Sequence, residues 1–160
     1  MTNYIELLKK LLSLSNINMN IKSIDGYNPL ILALKLYGRY FNDRDVFKIV
    51  EILSNNKSIV NICSGDYTPL GLIAYYGNMQ LFNLMIYKQA SINMSDNNGN
   101  TPLIILAKYG HKKILGELLK YSDILKINAQ NKDGYTALMM AAYYNNFKVA
   151  KKLILYKANL

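Results

Sequence analysis

The chain repeats itself. The segments DGYNPLILAL (25–34), GDYTPLGLIA (65–74), NGNTPLIILA (98–107) and DGYTALMMAA (133–142) align without gaps, and their leucines Leu30, Leu70, Leu103 and Leu138 stand 40, 33 and 35 residues apart. An apolar run at helical spacing follows each: Val46-Phe47 to Leu53, Leu81 to Ile86, Ile114 to Leu119, and Val149 to Leu155. Three of the four units then close on an apolar residue and asparagine, at Val60-Asn61, Ile92-Asn93 and Ile127-Asn128. Self-similarity near this period leaves little choice of architecture. One such unit cannot bury its own apolar face, whereas a stack of them buries a continuous one.

Each piece of the unit has a physical reading. Asp-Gly or Asn-Gly marks a tight turn, because glycine takes positive φ without strain. Thr-Pro then opens a helix: the threonine hydroxyl caps a free backbone N–H, and proline at the first helical position gives up an N–H that had no partner. Gly77 and Gly110 end two of these short helices, and a second helix carrying leucine-type pairs returns beside the first. Asn28 stands in for threonine and also caps. Ala137 replaces proline at no structural cost, and Asn145 replaces the terminating glycine as the next best residue for positive φ. Gly65-Asp66 inverts the usual turn order, and counting back from Thr68 puts Cys63 at the turn's aspartate position.

In this order, the turn, Thr-Pro-Leu, alanine, Gly-His, apolar helix and closing asparagine resemble the ankyrin repeat over residues 4–160, with Asp96–Asn128 matching best. The resemblance implies an all-α solenoid in one domain. Its parts are an N-terminal capping helix (1–21), repeat 1 (22–61), repeat 2 (62–94), repeat 3 (95–129) and repeat 4 (130–160). Repeat 1 carries about seven extra residues near 38–45, expected to lengthen the loop between its helices and to offer Tyr40 and Phe41 as a further contact point. Repeat 3 has two extra near Ser122–Lys126. No histidine follows the Thr-Pro-Leu in any repeat, so packing takes over whatever bonds it makes elsewhere in the family. His111 is expected to have a structural role in its loop.

Composition narrows the function. With 51% hydrophobic and 18% charged residues the chain is not disordered. No run approaches the roughly 20 apolar residues of a membrane span, and Glu6, Lys9 and Lys10 interrupt the N-terminal apolar stretch, so no cleaved signal is expected. The expected location is the cytoplasm, or a host cell reached without such a signal. One cysteine and one histidine exclude a disulfide within the chain and a His/Cys metal site. With no phosphate loop and no Ser-His-Asp order, an enzyme is not expected, nor a cofactor or metal. The net charge of +9 is uneven: residues 101–160 hold ten lysines against Glu117, Asp123 and Asp133.

The resemblance implies a protein-binding module whose concave face is built from turn tips and first helices. By alignment that face takes the residue before each cap (Tyr27, Tyr67, Asn100 and Tyr135) and the two residues before each first-helix end (Lys35-Leu36, Tyr75-Tyr76, Lys108-Tyr109 and Tyr143-Tyr144). Eight of these twelve positions are tyrosine, against six in the rest of the chain. Tyrosine gives large, stiff, amphipathic contact area at low entropy cost. The positions expected to bind are Tyr27, Tyr67, Tyr75, Tyr76, Asn100, Lys108, Tyr109, Tyr135, Tyr143 and Tyr144, and the expected partner is another protein. The competing reading is nucleic acid or another acidic partner on the basic C-terminal half. Usage rich in Ile, Asn, Lys and Tyr points to an AT-rich genome. Ankyrin-repeat proteins of intracellular bacteria and large viruses often act on host proteins, so a host-directed role is the matching expectation. The last helix, with Lys148, Lys151, Lys152 and Lys157, is expected to cap itself and leave a monomer. Exposure of Met139, Phe147 or Leu155 would instead favour end-to-end dimers.

Overall fold

The computed structural model describes residues 18–36 and 43–158. The first helices of the units are α1 (Pro29–Lys35), α4 (Pro69–Tyr76), α6 (Pro102–Tyr109) and α8 (Ala137–Tyr143). The second helices are α2 (Asp43–Leu53), α5 (Met79–Tyr87), α7 (Lys112–Leu118) and α9 (Phe147–Leu155). A one-turn helix, α3 (Lys57–Val60), follows α2, and a 3-10 turn (Leu119–Tyr121) extends α7. Among the described residues there is no strand; the one β feature is an isolated bridge between Ser64 and Tyr67. The capping helix expected at 1–21 falls outside the described residues except for its last positions.

The caps form as the sequence dictates. Asn28 Oδ1 accepts from the Ile31 N–H (2.8 Å), and the hydroxyls of Thr68, Thr101 and Thr136 accept from Gly71, Ile104 and Met139 N–H at 3.1, 3.4 and 3.2 Å. All four caps are buried, and Asn28 carries an extra Nδ2 that has no partner. Gly77 and Gly110 end α4 and α6 in the left-handed region (φ 72° and 73°), and Asn145 takes the same conformation after α8 (φ 56°). In these three units chain reversal needs no more than these residues, so the second helix folds back on the first.

Two expectations change. In three units the turn spans three residues and ends on glycine: Ser23, Asp96 and Asn131 each donate their N–H to the carbonyl of Tyr27, Asn100 and Tyr135. In the second unit Ser64 N–H donates to the Tyr67 carbonyl at 2.9 Å, so only two residues lie between them. Such a shortened turn requires positive φ at its first central residue, which is why glycine precedes aspartate here (Gly65 φ 60°). Ser64 therefore occupies the place of Asp96 and Asn131, and Cys63 lies one residue before it. The extra residues of the first unit are also distributed differently. Asp43–Asp45 form the first turn of α2, which at 11 residues is the longest described helix, while the rest of the expected loop, with Tyr40 and Phe41, lies outside the described residues.

Packing follows a single direction. First helices stack in the order α1, α4, α6, α8, and second helices in the order α2, α5, α7, α9. The core is one continuous apolar layer between the rows, including Leu30, Leu70, Leu103, Leu115 and Leu153. Met139 is 42%, Phe147 72% and Leu155 72% exposed. The lysines of α9 thus leave Phe147 and Leu155 uncovered, the exposure set above against a self-capped helix.

Contacts that reach only neighbours make stability a sum of local terms. Leu103→Ala, at a site 1% exposed, is expected to cost about 2–5 kcal/mol in urea unfolding. Leu155→Ala should cost less than about 0.5 kcal/mol; equal losses would contradict this architecture.

Candidate protein-binding face

The residue before each cap and the residue eight further on share one face of the first helix, since eight residues make just over two turns. This spacing pairs Tyr27 with Lys35, Tyr67 with Tyr75, Asn100 with Lys108, and Tyr135 with Tyr143. Stacking then sets the pairs side by side. The Tyr27 and Tyr67 rings lie 6.2 Å apart, and Lys35 Nζ sits 4.2 and 4.7 Å from their centroids while donating to the Tyr27 hydroxyl at 2.9 Å. Tyr75 meets Tyr76 at 5.0 Å and Tyr109 of the next unit at 4.7 Å, both edge to face. Lys108 Nζ stands 5.5 and 5.4 Å from the Tyr109 and Tyr144 rings. Tyr143 closes the row, 5.1 Å from Tyr144 and 6.4 Å from Tyr135.

Between α4 and α6 these side chains border a groove of about 760 Å³ that Lys35, Tyr67, Tyr75, Asn100, Lys108 and Tyr109 help to line. A smaller hollow of about 330 Å³ follows beside Tyr135, Tyr143 and Tyr144. Tyr75, Tyr109 and Tyr144 are 45, 44 and 44% exposed, and Tyr135 and Tyr143 are exposed as well. Tyr27, Tyr67 and Tyr76 are half-buried. Tyr76 donates its hydroxyl to the Lys35 carbonyl (3.4 Å), and the Tyr27 ring lies so close over Gly65 that a Cβ there would overlap it. These two therefore brace the stack as much as they face the groove. Asn100 does the same, giving its N–H and side-chain amide to Asp96 and accepting from Asn131 Nδ2 at 2.9 Å.

Lys35 joins the positions expected to bind, and its signal in the sequence is the eight-residue spacing from Tyr27. Gly71 was also overlooked. It stands where the other first helices carry Ile31, Ile104 and Met139, and an added Cβ would press on Ile105 Cδ1 at 3.2 Å, so its smallness lets α6 close on α4 beneath the groove. Cys63 is half-buried with Sγ 3.3 Å from Asn97 Oδ1, and burial raises its thiol pKa; an unreactive thiol is the consequence.

Side chains from the following unit secure the ends of the tyrosine-bearing helices. His111 Nε2 donates to the Tyr75 carbonyl at 3.0 Å, its ring lying over Gly77. Asn146 Nδ2 donates to the carbonyls of Ala107 (2.8 Å) and Lys108 (2.9 Å). Both satisfy carbonyls that a helix end leaves without partners.

Comparison with known proteins agrees with this geometry. A family model described as three copies of the ankyrin repeat matches residues 70–160, more than half of the chain. The chain belongs to the ankyrin-repeat family. A rat ankyrin repeat and SAM domain-containing protein 6 is 34% identical over 88 residues, 53% of this chain and 10% of the relative. A putative ankyrin repeat protein of Acanthamoeba polyphaga mimivirus is 36% identical over 89 residues, 54% of this chain and 8% of the relative. One from fowlpox virus is 27% identical over 85 residues, 52% of this chain and 45% of the relative. The chain thus spans less than half the length of each. Ankyrin repeats generally mediate protein–protein interaction, and no described helix of this ankyrin protein is long and apolar enough to cross a membrane.

If His111 and Asn146 hold the ankyrin first helices closed, His111→Ala should lower stability by about 1 kcal/mol and Asn146→Ala by about 1–2 kcal/mol. Urea titration of both variants measures this, and no change in either would assign the helix ends another support.

Proposed function

We propose that the chain is a non-catalytic module that holds a partner protein on its tyrosine face. The observation that carries this reading is the run of half-exposed rings on three successive helix pairs, where Tyr75 and Tyr109 border the groove and Tyr144 borders the hollow that follows it. Rigid aromatic side chains around a concavity supply the anchors that dominate binding energy at protein interfaces. The viral source of two relatives and the Ile-, Asn-, Lys- and Tyr-rich usage support a role directed at host proteins. The alternative is a nucleic-acid or acidic partner on the basic C-terminal half. It draws on Lys112, Lys113, Lys148 and Lys151, which are exposed on α7 and α9. It has less support because the tyrosines are on the first helices and these lysines on the second.

The test is selection from a displayed library of protein fragments on the immobilised chain, followed by affinity measurement for each fragment retained. Tyr75→Ala combined with Tyr109→Ala should weaken binding at least about a hundredfold, since buried aromatic anchors cost about 2 kcal/mol or more each. Lys151→Ala with Lys152→Ala should alter mainly the on-rate and its salt response. Intact binding in the folded tyrosine variant, with loss in the lysine variant, would move the interface to the basic side.

The same reading covers self-association. Met139, Phe147 and Leu155 are exposed, the condition under which end-to-end pairing rather than a monomer is expected of this chain. Light scattering should show mass rising with concentration, and Phe147→Lys with Leu155→Lys should hold it at the monomer value.

A further inference from the structure

Two cations flank the groove, and neither has an ion-pair partner among the described residues. Among the described residues the one ion pair joins Lys120 to Glu117 on α7 and the 3-10 turn that follows it. Lys35 and Lys108 both line the groove, yet their neighbours are tyrosines. The single carboxylate in the lining, Asp96, is committed to its own turn: Oδ1 accepts from the N–H groups of Asn98 (2.9 Å) and Asn100 (2.8 Å), and Oδ2 from Asn100 Nδ2. Two lysines against one aspartate leave the groove positive.

The lysines are also held in place. Lys35 Nζ is fixed by two ring faces and by the Tyr27 hydroxyl, which takes one of its three N–H donors and leaves two. The same hydroxyl raises the Lys35 pKa from its ordinary value, so the charge is kept throughout the neutral range. Lys108 rests between the Tyr109 and Tyr144 rings. A long side chain already ordered loses less entropy when it engages an anion. The half-buried Ile105 and the rings of Tyr75 and Tyr109 line the same groove as the two cations.

We infer that the groove takes an extended segment of a partner protein in which acidic residues flank an apolar one. The carboxylates meet Lys35 and Lys108, and the apolar side chain lies over Ile105 against Tyr75 and Tyr109. This rests on the proposed protein-binding role of the tyrosine face and names the chemistry of its partner. Ring geometry favours a peptide over single-stranded nucleic acid. Stacked bases need open ring faces, whereas Tyr75 meets Tyr76 and Tyr109 edge to face at interplanar angles of 72° and 83°, which leaves no parallel slot for a base.

Selection of short random peptides displayed on phage, with the full chain as bait, tests this. The expected winners carry Asp or Glu on both sides of an apolar residue. They should lose about tenfold or more in affinity to Lys35→Gln with Lys108→Gln, and weaken as salt is raised. The single variant Lys108→Gln should lose part of this while melting as the parent does, which separates binding from folding. Lys35→Glu with Lys108→Glu should turn the selection toward basic peptides. Winners that need Tyr75 and Tyr109 but carry no acidic residues and ignore the lysines would overturn this inference and leave the tyrosine face standing. Winners indifferent to Tyr75 and Tyr109, or no enrichment at all, would overturn both. Displacement of the peptides by a single-stranded oligonucleotide that binds more tightly through the same lysines would replace the peptide with nucleic acid.

Discussion

No helix pair in this protein can cover its own apolar side, and the next pair does it instead. The same position shows this in two settings. Ile104 on α6 is 1% exposed beneath α8, whereas Met139, its counterpart on α8, is 42% exposed. Likewise Leu119, after α7, is fully buried, while Ile154 at the matching place in α9 is open. Burial at each step is supplied by the neighbour, so order is a property of the row.

Apolar stacking alone would leave the pairs free to slide, and side-chain amides set their alignment. Asn61 donates to the Gln89 carbonyl and accepts from Ser91 N–H, and Asn93 does the same with Ile124 and Lys126 one unit on. The turns are tied too: Ser64 Oγ accepts from Asn28 N–H and donates to the Gly26 carbonyl, and Lys132 N–H donates to the Asn98 carbonyl. Each bond contributes about 1 kcal/mol or less, but together they fix the offset between units. That offset brings Tyr75 against Tyr109 and sets Lys108 between Tyr109 and Tyr144. The candidate face is thus a by-product of the packing that makes the protein fold.

Much of this was legible in the residues because it is local. Asn28, Thr68, Thr101 and Thr136 cap four helices, and Gly77, Gly110 and Asn145 turn the chain by positive φ, all from chemistry within a few residues. The order Gly65-Asp66 signalled an unusual turn, but only the Ser64–Tyr67 pairing reveals that it is one residue shorter and moves Cys63 off the aspartate position. The tyrosine row could be read from the eight-residue spacing. Which rings touch across units could not, since this depends on how closely neighbouring first helices approach. The exposure of Phe147 and Leu155 was not legible for a related reason: counting lysines on α9 says nothing about the side on which these two emerge.

The most direct test of the account is the response of individual tyrosine rings to a bound protein fragment. In a titration followed by NMR of ring-labelled tyrosines, Tyr75, Tyr109 and Tyr144 should shift and broaden together. Tyr87, exposed on α5, a second helix, should stay unmoved and serves as the control within the same molecule. Perturbation of Tyr87 with unmoved signals from Tyr75 and Tyr109 would place the partner on the second helices and contradict the claim that the row of first helices carries the function.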